Sequence, residues 1–253
     1  MVRIFTVIAI LLISVLPATA EWPEGGVLFG GAFEPLAHYC KVAPDGQGGM
    51  WAVWQDLDRD IRMQHIDNQG NLMWEYPGQK VTDDTYIQSL PELCPDRHGG
   101  IVVAFKDYRH TSKVGYPDIY AQRIDAYGNE VWLHNGLPVV IDIPREQYDF
   151  HMVSHVDTLT IIAWSHAIDW QYAEVRAQCL NEKGERLWMD DTLGLVITGG
   201  EEGRKRDSGI WTDSSGYIYV TWNDKTDDSL IGGIYAQKID VEGNTYWDEN
   251  GIK

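Results

Sequence analysis

Three alternating aspartates have the spacing in this sequence that most suggests a set of metal ligands. Asp56, Asp58 and Asp60 are separated by single residues, and carboxylates in such a run can offer oxygen ligands to Ca²⁺. A calcium loop normally continues with a glycine, whereas Ile61 follows here. The same aspartates could instead form ion pairs or turn contacts within the fold. We therefore predict no cofactor and keep Ca²⁺ as the alternative at these three positions.

Four aromatic residues could contact a ligand directly, because aromatic rings in exposed loops pack against the apolar faces of sugars. Trp170 and Tyr172 are the strongest pair, since they lie two residues apart in a stretch that follows a predicted strand. Partial burial within the loops is the alternative for these side chains. The candidate ligand-binding residues are Trp170, Tyr172, Trp211 and Tyr116.

The sequence lacks the motifs of the commonest catalytic sites. It contains no G-x-S-x-G elbow, no phosphate-cradling glycine loop and no H-E-x-x-H pair. We therefore predict no catalytic residue. A pair of carboxylates for glycoside hydrolysis stays open, because its two members can come from distant parts of a chain.

An internal repeat positions these residues. Segments 61–74, 119–132, 175–188 and 234–247 align without a gap, with Gln at the fourth position, Gly at the tenth and Trp at the last. A β-favouring run before the glycine and another after it predict a hairpin, in which the glycine supplies the positive φ of the turn. A second hairpin precedes each segment, with turns such as 45–49 and 96–100.

Each repeat therefore predicts four short strands, A to D, which in the second repeat cover 89–94, 101–106, 118–125 and 130–140. Four-stranded antiparallel units repeated every 52 to 59 residues are typical of an all-β fold, the β-propeller. A β-sandwich is the alternative, and the lack of a helical period excludes a helical solenoid. The predicted domain spans 21–253, with repeats at about 22–73, 74–131, 132–187 and 188–246, and with 247–253 starting another.

The strings DIYAQRIDAYGNEVWLHNG and PDGQGGMWAVWQD resemble the propeller repeats of large secreted bacterial surface proteins. The resemblance covers nearly all of residues 22–253 and is weakest in the third repeat. It implies a β-propeller fold and a secreted or surface location. It implies little about activity.

The N-terminus has the pattern of a signal peptide. Arg3 precedes an apolar run from Ile4 to Leu16, and small residues follow at 18–20. We predict a signal peptide at 1–20 and a secreted, extracellular or cell-surface protein, with the periplasm as the alternative, that does not insert into a membrane once the signal is removed. The net charge of −18 argues against nucleic acid as a partner.

The three cysteines are an odd number for an exported chain. We predict that Cys40 and Cys94 face opposite sides of neighbouring units and do not pair. Cys179 occupies the repeat column of His65, Arg123 and Lys238, which we expect to face solvent.

The chain carries one more strand D than its complete repeats require. Residues 22–29 and 247–253 both resemble a strand D without a full set of A, B and C. We therefore expect further propeller repeats after Lys253, and an open half-ring without them. A four-bladed ring or an obligate oligomer is the alternative.

The preferred hypothesis from sequence is a non-catalytic binding module that contacts a protein or carbohydrate ligand through its B–C loops or its channel mouth. One alternative is a glycan-acting hydrolase of propeller fold with carboxylates at the channel. The other is a structural spacer of a larger surface protein.

Overall fold

The computed structural model of the chain describes residues 26–28, 37–111, 115–141, 145–169, 172–188, 193–198, 203–225 and 232–253. Within these ranges no helix is long and apolar enough to cross a membrane. The elements are β-strands throughout. They are β1 (His38–Pro44), β2 (Met50–Gln55), β3 (Ile61–Ile66), β4 (Gln79–Lys80), β5 (Gln88–Pro95), β6 (Ile101–Asp107), β7 (Asp118–Ile124), β8 (Leu137–Val140), β9 (Gln147–Ser154), β10 (Thr160–Ala167), β11 (Ala173–Leu180), β12 (Leu195–Val196), β13 (Arg204–Thr212), β14 (Ile218–Lys225) and β15 (Gly233–Ile239).

Consecutive strands pair antiparallel into units that we call blades. Blade one is β1–β4, blade two β5–β8, blade three β9–β12, and blade four β13–β15 with an isolated bridge from Ala236 to Ile252 in place of a fourth strand. A single parallel pair, Ala173 with Arg204, links blades three and four. The fold is a β-propeller, as the repeat predicts.

The hydrophobic core lies between the blades. Its three clusters join blade one to two, two to three and three to four, with large side chains such as Trp51, Phe105, Trp164 and Trp222. Strands β6 and β10 are buried along their whole length, because the neighbouring blades on either side cover both faces of the sheet. Packing between sheets therefore holds the ring together.

The first strand of each blade lies innermost. Inner strands β1 and β5, β5 and β9, and β9 and β13 contact each other in turn. Among the described residues, β13 and β1 form no comparable contact, so the described ring is open between blades four and one. We call the end where inner strands begin and B–C loops lie the mouth end, and the opposite end the turn end.

The recurring glutamine fastens strand C to the chain that follows it. In blade three, the Gln178 amide donates to the Trp188 carbonyl at 2.8 Å and accepts from the backbone N–H groups of Trp188 and Cys179 at 3.1 and 3.0 Å. Gln64, Gln122 and Gln237 likewise accept from the backbone N–H of the repeat tryptophan. Gln64 donates to the carbonyl of that tryptophan, whereas Gln122 and Gln237 donate to the carbonyl of the next residue. All four are fully buried, which explains the recurrence of an amide in an otherwise apolar setting.

Strand D differs from the sequence prediction. In blade two it covers Leu137–Val140 alone, whereas we expected 130–140; Glu130 forms only an isolated bridge to Ile124. The chain turns in between, with positive φ at Asn135 and Gly136. A turn at that point lets Trp132 pack inward before the outer strand begins.

Cys179 is also placed differently from our expectation. It is fully buried, and burial raises the pKa of its thiol to about 12. In blades one and two the residue in this column contacts the aspartate of the A–B turn: His65 contacts Asp45 and Arg123 contacts Asp96, each at 3.0 Å. Blade three has His155 where those aspartates stand, and its ring bonds instead to the carbonyl of Gly216 at 2.8 Å. Because the turn of blade three has no aspartate at this position, the residue in this column, Cys179, need not be polar. Cys40, Cys94 and Cys179 are free thiols.

Candidate active site

A β-bulge recurs in every inner strand near the mouth end. The pairing with the second strand shifts by one residue between His38 and Lys41, between Ser89 and Glu92, and at the matching points of β9 and β13. A bulge re-aims the side chains around it and often lies beside a functional site. In three of the strands the extra residue has positive φ without being glycine: Tyr39 (56°), Leu90 (51°) and Asp149 (42°).

The bulges surround a cavity of about 410 Å³ at the mouth end of the channel, which we call the mouth cavity. This volume is within the roughly 300–1,000 Å³ of small-ligand sites. Inner strands of three blades line it, together with Lys106 near the end of β6 and Glu146 just before β9. Its ionisable side chains are Tyr39, Lys41, Glu92, Lys106, Glu146, Tyr148, Asp149 and His151.

Glu92 joins the inner strands of three blades. Its Oε1 lies 2.5 Å from Lys41 Nζ on β1 and 3.7 Å from His151 Nδ1 on β9. The three residues occupy the same position after the bulge in consecutive blades. The Glu92 side chain is 19% exposed, so the carboxylate is accessible from the cavity but held by its neighbours.

A second carboxylate, Glu146, precedes β9. Its Oε1 lies 3.6 Å from Lys106 Nζ, and Tyr148 lies beside it in the same cavity. Burial and the nearby carboxylate of Glu146 raise the pKa of Tyr148, while Arg206 opposes them. The Arg206 guanidinium carbon lies 4.1 Å from the centre of the Tyr148 ring. Tyr148 therefore remains a neutral phenol beside Glu146.

This arrangement offers the groups that acid–base chemistry on a sugar requires. Two carboxylates project into one cavity from different blades, and each has a lysine beside it. Glycoside hydrolysis uses a pair of carboxylates that flank the scissile bond. Tyr148 and His151 add hydrogen-bonding groups that can orient a polyhydroxylated ligand.

The predicted aromatic site is spread over the molecule. Trp170 lies outside the described residues. Tyr116, 36% exposed, and the half-buried Tyr172 lie at the mouth end, in the B–C connections of blades two and three. Trp211 is 61% exposed but lies near the turn end of β13. Ligand binding by these residues stays a prediction, and the structure does not bring Trp211 together with the others.

The three predicted metal ligands do come together. One ligand oxygen from each of Asp56, Asp58 and Asp60 can lie within 4.8 Å of the others. The chain already provides cations for two of them, since Arg62 Nε is 2.6 Å from Asp56 and Lys80 pairs with Asp60. The contacts therefore favour internal ion pairs, and Ca²⁺ at these positions stays untested.

Sequence analysis missed Glu92, Glu146, Tyr148 and His151. They lie in or just before inner strands, where the repeat is weakest. A signal was present, because charged or ionisable residues stand at one column in three repeats while the residue type changes: Lys41, Glu92 and His151. A repeat position that is always polar but varies in residue type indicates a surface to which several blades contribute.

Neither a protein-family model nor a curated protein sequence matches the chain. Among solved structures, it is similar to the Hadza microbial sialidase Hz136 (TM-score 0.58, 12% identity, 86% of this chain and 47% of the other). It is also similar to the GH93 α-L-arabinofuranosidase of Fusarium graminearum (0.56, 9%, 89% and 76%) and to an α-L-arabinanase of Penicillium chrysogenum (0.55, 13%, 87% and 69%). The chain thus spans about half of the sialidase. At these identities the likeness shows the fold.

These findings correct the expectation of a non-catalytic binding module. The solved structures reported above carry the names of glycan-hydrolysing enzymes, which favours the hydrolase alternative. The expectation rested on the lack of a catalytic motif, but carboxylates such as Glu92 and Glu146 come from separate blades and leave no local motif.

Proposed function

We propose that the protein is a glycan-acting hydrolase whose active site is the mouth cavity. The observation that carries the proposal is the convergence of Glu92 and Glu146 on one cavity from different blades. The propeller likeness to an arabinofuranosidase, an arabinanase and a sialidase supports it. The substrate class is a carbohydrate, cleaved by acid–base catalysis at a glycosidic bond.

Glu92 and Glu146 are the candidate catalytic pair. One would protonate the leaving oxygen, while the other would act as base or nucleophile on the opposite side of the sugar. Lys41 and Lys106 would position the two side chains through their ion pairs, and Tyr148 would provide a hydroxyl group beside Glu146. A cavity of this size fits one or two sugar units.

The test measures hydrolysis by the folded chain of aryl α-L-arabinofuranosides, arabinan and aryl sialosides. With any substrate that is turned over, we expect Glu92→Gln and Glu146→Gln each to lower kcat by about 10²–10⁴-fold. The control is Glu75→Gln, an exposed acid whose side chain makes no contact in the described residues.

Two outcomes would contradict this assignment. If none of these substrates nor a wider panel of glycosides is hydrolysed by the folded protein, the proposed activity is wrong. If a substrate is hydrolysed equally well by both variants, the activity stands and the site lies elsewhere.

We also propose that the protein acts outside the cytoplasm, as one of the secreted surface-type repeat proteins that its sequence resembles. The support is the signal-peptide pattern at 1–20, which lies outside the described residues. N-terminal sequencing of exported protein tests it: a start at Glu21 is expected, and retention of Met1 in the cytoplasmic fraction would contradict it.

A further inference from the structure

Blade four has one sheet face without a neighbour among the described residues. The pairing registers place Trp211, Tyr219, Ile234 and Lys238 on this side, which we call the open face. Ile234 is 71% exposed and Trp211 61%, whereas the residues at the same positions of blade two, Ile119 and Cys94, are 0% and 4% exposed. In blade two that side is covered by blade three.

The interfaces of blade two with blade three and of blade three with blade four share one contact that the open face lacks. The indole N–H of Trp132 donates to the Glu182 carbonyl in the next blade's C–D turn at 2.9 Å, and that of Trp188 donates to the Val241 carbonyl at 2.7 Å. A glycine in each turn makes room, since a Cβ at Gly184 would come within 3.2 Å of Trp132. Trp247 is held by Gln237 at 3.0 Å in the same way, but its indole makes no hydrogen bond to described residues.

The open face presents basic side chains, as the earlier blade does in two ion pairs at the covered interfaces. In the two lysine–glutamate pairs that join covered blades, the lysine belongs to the earlier blade and the acid to the later one: Lys41 to Glu92, and Lys106 to Glu146. On blade four, Arg204 and Lys225 stand directly opposite each other across the strands, an arrangement of like charges that costs stability.

Together with Arg206, these two cations line a second cavity of about 100 Å³. None of the three pairs with a carboxylate of the described chain. Arg206 already lies over the Tyr148 ring. In a chain of net charge −18, the two remaining cations, Arg204 and Lys225, indicate an acidic partner surface.

We propose that the open face binds a further blade of the same repeat type. That blade would cover Ile234 and Trp211 with its strands. It would accept the Trp247 indole hydrogen bond at a glycine-containing C–D turn, and it would place carboxylates opposite Arg204 and Lys225. The proposal is independent of the hydrolase assignment, because it rests on the interfaces between blades and not on the mouth cavity.

The chain itself provides a probe. Gly251, Ile252 and Lys253 occupy the positions of Gly78, Gln79 and Lys80, since Ile252 bridges to Ala236 as Gln79 pairs with Met63. A copy of residues 81–141 appended after Lys253 therefore continues the repeat in register and supplies blade two again. A second variant carries 81–198 and so adds two blades.

Ile234→Cys reports on the face. We expect maleimide labelling of this introduced thiol, located by peptide mass spectrometry, to slow at least tenfold in the extended variants relative to the unextended chain. As a matched control, Gly128→Thr in the appended copy blocks the turn that receives Trp247, and it should restore fast labelling.

Labelling at the unextended rate in both extended variants would overturn the proposal. So would a dimeric unextended chain in which the introduced thiol is already protected, because a second copy would then be the natural occupant. Sedimentation of the unextended chain distinguishes these cases, and we expect the thiol to label rapidly in the monomer.

Discussion

At the scale of single residues, buried hydrogen bonds explain what stays constant from one repeat to the next. The Gln178 amide forms hydrogen bonds with one backbone carbonyl and two backbone N–H groups in a fully buried setting. Gln178→Leu keeps the volume but leaves these groups unpaired, at about 1–3 kcal/mol each for a buried group. We expect the free energy of unfolding to fall by about 2–4 kcal/mol.

Urea denaturation measures this change, with the exposed Gln47→Leu as control, for which we expect less than about 0.5 kcal/mol. Equal midpoints for the two variants would show that the buried amide contributes nothing beyond its packing. The repeat predicted that these four positions matter. It could not show why, because the carbonyl that each amide reaches lies ten or eleven residues along the chain, across a turn.

At the scale of the element, one residue of the A–B turn in blade three carries backbone strain. Thr158 has a φ of 64° where the other blades have glycine, at Gly48, Gly99 and Gly216. A β-branched residue is disfavoured in this region by about 1–2 kcal/mol. We expect Thr158→Gly to stabilise the protein by up to about 1 kcal/mol, since the lost Thr158 hydroxyl contacts and added chain entropy offset part of the gain.

The reverse change tests the same argument. Gly99→Thr puts a β-branched side chain at a φ of 91° and a Cβ 3.3 Å from the Ala126 Cβ, so it should lower the melting temperature while Thr158→Gly raises it. A Thr158→Gly variant less stable than the parent would mean that the hydroxyl contacts of Thr158 outweigh the strain.

The C–D turns give the protein an acid-sensitive element. Asp125 accepts hydrogen bonds from the Tyr127 and Asn129 backbone N–H groups and the Asn129 amide at 2.8–2.9 Å. Slight burial raises its pKa, but these bonds outweigh burial and hold the pKa below its usual value. The stabilisation is therefore present above about pH 4, the pKa of an unfolded aspartate, and is lost as the pH falls through the lower folded value.

Asp125→Asn removes this titration. We expect the stability difference between parent and variant to shrink as the pH falls from 5 to 2, when both are followed by thermal unfolding. A constant difference over that range would mean that the charge of Asp125 is unimportant to the turn.

The same elements show how far sequence carries the fold. The hairpins were predictable because glycine, aspartate and the alternation of side chains act locally. The inner-strand bulges were not predictable, since Tyr39, Leu90 and Asp149 share neither size nor polarity. Their positive φ accompanies the shift in pairing with the second strand of each blade. The mouth cavity depends on those bulges. The polar column of Lys41, Glu92 and His151 was therefore visible in the repeat, but the cavity that it lines was not.

At the scale of the whole molecule, stability should follow the number of neighbours that each blade has. In a repeat array each unit contacts only the next, so its stability is its own plus that of its interfaces. Blades two and three are packed on both sides, whereas blade four has only blade three beside it among the described residues. The open face leaves β14 less buried than β6 or β10.

Hydrogen exchange should therefore be graded along the chain. We expect amides of β6 and β10 to exchange only through global unfolding, and those of β14 and β15 to exchange at least tenfold faster through local opening of blade four. Mass spectrometry of peptic fragments resolves the two regions. Uniform protection would mean that the ring unfolds as one cooperative unit. Blade four would then not open separately, although it has only one described interface.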